Sequence, residues 1–184
     1  DILYKDANGK TILKVKEWTA FEGFDSKRFI DNSQIANRDM QFRKVTITLF
    51  GEPMPKQSVR STKTGHHYQP QKVVDRLKDY QDQIRKQLPK DFKMFETCVF
   101  VRKMHFLDAP LKSFHKEKGK MEAIRNGKKF YKNSRPDLPD NLKKLCNDAM
   151  SGLVFTDDSL IVAEDDVKKY YSVGGCIVIE LEGY

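Results

Sequence analysis

The stretch "ILYKDANGKTILKVKEW", Ile2 to Trp18, alternates apolar and polar positions on both sides of Asn8-Gly9. That pattern predicts a β-hairpin closed by a two-residue turn. "TAFEGFDSKRFIDNSQIANRD" follows with no clear period, and no function attaches to it. "KVTITLF", Lys44 to Phe50, is a β-branched run that predicts a strand. A Gly/Pro-punctuated loop, "GEPMPKQSVRSTKTGHHYQP", comes next. In "QKVVDRLKDYQDQIRKQL", Val73, Val74, Leu77, Tyr80, Ile84 and Leu88 recur at helical spacing and form one apolar stripe. "ETCVFVRKMHF" predicts another strand, and Leu142, Leu145, Ala149 and Met150 mark the buried side of a second helix. Pro139 suits the first turn of that helix, where its missing N–H costs nothing, and Ser151-Gly152 is a plausible stop. "SLIVAEDDVKKYYS" and "GCIVIELE" read as a hairpin joined through Val173-Gly174-Gly175. The order strand, helix, strand, helix, two strands predicts an α+β fold, a small mixed β-sheet with two main helices packed on one face. Residues 1–43 then form an N-terminal extension carrying the β-hairpin, and residues 44–184 the main domain.

Composition changes this picture little, but charge changes it a good deal. The 184 residues are 39% hydrophobic and 33% charged, as expected for a soluble domain with a real core. No apolar run approaches the ~20 residues of a membrane span. No stretch reads as a signal peptide, and a start at Asp1 rather than Met suggests a trimmed chain. Cys98, Cys146 and Cys176 have neither disulfide-framework nor zinc-site spacing, and read as small core residues in a reducing compartment. The net charge of +8 is unevenly spread. Residues 112–135, "KSFHKEKGKMEAIRNGKKFYKNSR", carry nine Lys/Arg against Glu117 and Glu122, a net of +7. Residues 136–184 carry four Lys/Arg against ten Asp/Glu, a net of −6. Alone, the basic stretch reads as a solvated loop. Beside an acidic cluster it suggests a polyanion held over carboxylates that bind divalent metal, which makes nucleic acid the leading partner.

The acidic cluster lies in "RPDLPDNLKKLCNDAM", Arg135 to Met150, and in "TDDS", Thr156 to Ser159. At ~100° per residue, Asp140, Lys144 and Asp148 share one stripe of the second helix, away from Leu142 and Leu145. Ordinary i,i+4 pairs on a solvated face explain Asp148 equally well. They do not explain why Asp137, Asp140, Asp157 and Asp158 flank the two ends of the helix. Hard oxygen donors suit Mg²⁺, which takes one or two carboxylates along with water and substrate phosphate. A lysine one turn from such an aspartate can steady developing negative charge.

These two segments closely resemble the signature of RusA-type Holliday junction resolvases, approximately D-x-D-N-x-x-K-x-x-x-D-A followed by D-D-S/A-x-I. The match falls on Asp140, Asn141, Lys144, Asp148, Ala149, Asp158 and Ile161. "VTITLFGEPMPKQSVR" is similar to the strand and Pro/Lys/Arg loop that open these proteins, and "GCIVIELE" to their last strand. The resemblance spans about Val45 to Glu182 and implies a RusA-like fold. It also implies a Mg²⁺-dependent homodimeric endonuclease, with Mn²⁺ able to substitute, that makes paired nicks across four-way DNA junctions in recombination and repair. Asp137, Asp140 and Asp158 would hold the metal, Lys144 would act on the scissile phosphate, Asp148 would support the site and Asp157 would stand behind it. A cytoplasmic bacterial or phage setting goes with this reading, and a membrane or small-molecule cofactor does not. One spacing departs from the family's, for Leu138 and Pro139 both stand between Asp137 and Asp140. Asp140 is therefore the direct match, and the place of Asp137 is left to geometry.

Outside the motif, Lys56, Arg60 and Lys63 in the first loop and Lys116, Lys118 and Lys120 in the basic stretch are candidate DNA contacts. His66 and His67 lack partners at ligand spacing, His105 reads as structural, and His115 belongs to the basic stretch. Two rival readings remain: a catalytically silent DNA-binding module that keeps the fold, and a metal nuclease for some other branched or flap substrate.

Overall fold

The computed structural model describes residues 2–5, 11–15, 42–57, 60, 61, 63–65 and 67–184, and the side chains of residues 2–15, Arg60 and Asp140 are outside that description. The chain divides into two compact units, Asp1–Met40 and Gln41–Tyr184. In the first, β1 (Ile2–Lys5) and β2 (Thr11–Val15) pair antiparallel, with Ile2 opposite Val15 and Tyr4 opposite Leu13. The Asn8-Gly9 turn and the segment around Trp18 lie outside the described residues.

The second unit is built on one sheet. Its elements run β3 (Arg43–Phe50), β4 (Arg60–Ser61), β5 (His67–Tyr68), α1 (Gln71–Gln87) and β6 (Val99–Asp108), then α2 (Lys120–Arg125) and β7 (Phe130–Tyr131). After these come α3 (Lys143–Met150), β8 (Ile161–Glu164), β9 (Val167–Tyr171) and β10 (Cys176–Gly183). The strand order is β3-β10-β6-β9-β7, with β8 also paired to β6. β10 runs antiparallel to both neighbours, whereas β8 and β9 run parallel to β6, so the sheet is mixed.

Alternation sets the face of each strand. Ile47 pairs with Ile179 and Leu49 with Ile177, and all four point to one side and are fully buried. Met104 and Phe106 on β6 continue those rows. Val73, Tyr80 and Ile84 of α1 and Leu145, Cys146, Ala149 and Met150 of α3 close over the same face. Each of the larger apolar side chains among these gains roughly 1.5–3 kcal/mol by leaving water. Val74, one residue and ~100° round the helix from Val73, turns away from this core and is 42% exposed. The other face carries cross-strand ion pairs instead: Glu182 meets Lys44 and the Arg102 Nε at 2.8 Å, and Lys103 meets Glu180. Among the described residues, α1 and α3 therefore pack on one face of the sheet, as expected for this fold class.

At the outer edge, β3 meets two glutamines of α1. Gln87 accepts from the Thr48 N–H at 2.8 Å and donates to the Thr48 carbonyl at 2.8 Å. Gln83 does the same for Phe50, at 2.7 Å and 3.2 Å.

The expected pairing of the last strands fails too. The last strands do not form a hairpin, because β10 inserts between β3 and β6 while β9 lies on the far side of β6. β10 buries every second residue and needs partners on both edges, whereas the Lys-rich β9 suits the sheet's outer part. Gly175 also sits too close to the Glu52 backbone to admit a Cβ, and its carbonyl accepts from the Gly51 N–H at 3.1 Å. The joining segment is thus packed against the β3 end rather than free to turn tightly.

Nor are residues 112–135 a plain solvated loop. A 3₁₀ turn at Lys112–Lys116, α2 and β7 form a small lobe in which Phe114, Ile124 and Tyr171 are buried, with Met121 and Phe130 packed against them. Lys120 Nζ lies 3.6 Å from the Phe114 ring centroid, and Lys132 pairs with buried Asp108. The few apolar positions are too widely spaced among the lysines to show a period, so the lobe was invisible in the pattern.

Candidate active site

The second motif helix enters through a wide turn, Leu138–Leu142, in which the Leu142 N–H donates to the Asp137 carbonyl at 3.2 Å, before α3 begins. Pro139 lies in this entry turn, as its fixed φ and missing donor require. The helix stops at Ser151, and Gly152 takes φ of +73°, a backbone conformation that costs glycine nothing. Lys169 of β9 steadies the approach to the turn, donating to the carbonyls of Ser134 and Pro136 at 2.7 Å each.

Along α3, Lys144 and Asp148 are one turn apart and meet, with Nζ 3.2 Å from Oδ1. The same ammonium is 2.8 Å from Oδ2 of Asp158, which opens the short 3₁₀ turn leading into β8. The hydrogen bond to Asp158, reinforced by that to Asp148, holds the Lys144 ammonium above the usual lysine range, against a weaker pull from partial burial. Asp157 caps the 3₁₀ turn by accepting from the Ser159 N–H at 2.9 Å. Its bonds to the Ser159 side chain and backbone keep its carboxyl below the usual carboxylate range.

Other charges join this centre. Lys56, from the loop after β3, pairs with Oδ2 of Asp148, and Lys143 pairs with Glu164 of β8. Asn147, Asp158 and residues 161–164 line an open pocket of about 480 Å³. The Asn147 Oδ1 atom is buried without a hydrogen-bond partner.

The motif residues are thus brought together only in part. Lys144, Asp148 and Asp158 converge, and Asp157 is their neighbour in the chain. Asp137 is an exposed residue before the turn, and the Asp140 backbone lies within it. Lys56, expected to face DNA, instead faces Asp148. Lys63, Lys116 and Lys118 are exposed, while Lys120 is engaged by Glu117 at 2.7 Å and by the Phe114 ring. His67 is exposed and shares a hydrogen bond with Ser61, and His105 is buried against Asp166 and Tyr170, a structural role. Cys146 is buried, whereas Cys98 and Cys176 are only half-buried, short of the core role expected of all three. Sequence reasoning missed Lys143, Glu164 and Asn147. Lys143 adjoins the motif lysine, but nothing in the pattern pointed to β8 as its partner.

Among the described residues, no three His, Cys, Asp or Glu side chains are grouped to hold a metal ion. The pocket nonetheless offers hard oxygen donors of the kind a divalent cation takes, the Asp158 carboxylate and the unpartnered Asn147 Oδ1. The residues fit such an ion.

Residues 51–182 match the family model for endodeoxyribonuclease RusA. The chain belongs to the RusA endodeoxyribonuclease family. Among curated proteins none matches it. The matched span runs from the loop that carries Lys56 through the acidic helix to the last strand, and so takes in the whole site and most of the sheet. RusA-family membership makes this a nuclease of a class that acts on branched DNA junctions and depends on divalent metal. No helix among the described residues is long and apolar enough to cross a membrane.

Proposed function

We propose that the protein is a homodimeric crossover junction endodeoxyribonuclease that resolves four-way DNA junctions by paired nicking, with Mg²⁺ as cofactor and Mn²⁺ able to substitute. The observation that carries this reading is the Lys144 ammonium held between Asp148 and Asp158. It sets the motif lysine beside the two motif acids Asp148 and Asp158, which come from separate segments of the chain.

Asp158 and Asp140, together with Asp137, would hold the ion, which would supply an activated water and neutralise charge on the phosphate. Lys144 meets the scissile phosphate and steadies the negative charge that develops there. Asp148 fixes the direction of the Lys144 side chain, and Asp157 shapes the turn that presents Asp158. The exposed cations of the basic lobe, Lys116 and Lys118 among them, follow the phosphates of the junction arms, as do Lys63 and Arg60 of the first loop. Residues 44–184 form the nuclease domain and residues 1–43 an extension. A cytoplasmic bacterial or phage setting suits such an enzyme.

One domain with one acidic centre makes one cut, and a four-way junction offers two symmetric ones. A two-fold dimer matches that symmetry.

The test is cleavage of a labelled four-way junction, with and without Mg²⁺, by the wild type, Asp140→Asn and Asp137→Asn, with mass by light scattering. The expected results are symmetric paired nicks, a dimeric mass and a loss of orders of magnitude for Asp140→Asn with junction binding in EDTA retained. A small loss for Asp137→Asn would mean that the Leu138-Pro139 spacing has moved it out of the site. Binding without cleavage by the wild type would make the protein a silent module instead.

A further inference from the structure

Lys56 is bound at two points, the entry turn before α3 and α3 itself. Its backbone N–H donates to the Asn141 carbonyl at 2.9 Å, at the entry turn, and its ammonium pairs with Oδ2 of Asp148, near the other end. The ion pair is better shielded than its neighbour, with the Lys56 side chain 28% and that of Asp148 21% exposed, against 45% for Lys144. Asp148 therefore gives each oxygen to a different ammonium, Oδ2 to Lys56 and Oδ1 to Lys144.

We propose that Lys56 is a positioning residue for cleavage rather than a contact to DNA. By occupying Oδ2, it leaves Asp148 only Oδ1 to offer Lys144. Lys144 then cannot fold back on Asp148 with both oxygens, and its ammonium reaches across to Asp158, where the shorter contact of 2.8 Å lies. Without Lys56, the i,i+4 pair would take both oxygens and draw the Lys144 ammonium back along its own helix. This inference rests on Lys144 being the group that meets the phosphate, as proposed above.

A DNA contact and a positioning residue leave different marks. A lysine on a phosphate contributes to affinity and to its salt dependence, and its loss flattens the slope of log K against log salt by about 0.9. A lysine that aims another side chain affects the rate once DNA is bound. Losing such a supporting partner typically costs about 10- to 100-fold.

The experiment compares wild type, Lys56→Gln, Lys56→Met and Lys56→Arg. Single-turnover cleavage of a four-way junction is measured in Mg²⁺, junction affinity across a salt series in EDTA, and thermal melting as a check on folding. Expected for Lys56→Gln and Lys56→Met is a 10- to 100-fold slower cleavage step with affinity within twofold and an unchanged salt slope. Lys56→Arg should recover most of the rate, since a guanidinium can also donate to Oδ2. Weaker binding with a flatter slope and a normal rate at saturation would overturn the proposal in favour of a phosphate contact. An equal loss for all three variants, in step with a lowered melting temperature, would reduce Lys56 to a purely structural tie. A wild type that fails to cut overturns the nuclease reading and this one together, whereas Lys56→Gln cutting like an active wild type overturns this one alone.

Discussion

At the scale of single residues, the site is a set of shared charges, with Lys144 shared by two carboxylates and Asp148 by two ammonium groups. The Lys144 ammonium sits against Asp158, one of the acids proposed to bind the divalent ion. Cation and ammonium therefore compete for the same oxygen. Lys144→Met should raise affinity for a divalent ion in the absence of DNA by about fivefold, a modest gain because solvent already screens a pair this exposed. Junction cleavage should fall by roughly 10²-fold or more, because stabilisation of the developing charge is lost. Isothermal titration with Mn²⁺ alone checks the first effect, and a binding constant unchanged or weaker would show that Lys144 does not guard Asp158. Sequence made the lysine and the acids of the motif legible because they lie close together in the chain, in one helix, its entry turn and the 3₁₀ turn that follows. The partner of Asp148 at position 56 was not legible, since it is 92 residues away and a loop lysine carries no periodic mark.

Among the elements, those with a strong period were the readable ones. The stripe of α1, the rows of β3 and β10 and the buried side of α3 all follow from spacing, because each buries one regular face. The place of β9 was not readable, because two neighbouring strands in sequence do not reveal that β10 slips between others. The basic lobe shows a different limit: the apolar residues of its small core are widely spaced among lysines, and Lys120 adds cation–aromatic contacts that no hydrophobic pattern encodes. Lys120 Nζ lies over both Phe114 and Phe130, at 3.6 and 5.4 Å, whereas Lys116 and Lys118 are simply exposed. Cation–π contacts of this kind contribute about 0.5–2 kcal/mol. Lys120→Ala should thus speed hydrogen exchange across residues 112–131, while Lys116→Ala and Lys118→Ala leave exchange alone and flatten the salt dependence of junction binding by about 0.9 each. Equal effects of all three on exchange would mean that the lobe does not lean on Lys120.

For the whole molecule, the glutamine brackets on β3 bear on how copies of this chain meet. A strand at the rim of a sheet is ordinarily an invitation, since a second copy can dock alongside and continue the ladder without end. Here the amides of Gln83 and Gln87 imitate that visitor at Thr48 and Phe50, each offering one donor and one acceptor. The rim is answered from within at these two positions. If two copies pair as proposed above, these two positions of β3 are already taken, which favours a meeting on other ground and a closed pair over an open fibre. Replacing both glutamines with leucine keeps the helix but withdraws the imitation. Light scattering of Gln83→Leu/Gln87→Leu should then show a mass that climbs with concentration, whereas a fixed mass like that of the wild type would mean that other features of β3 already turn visitors away.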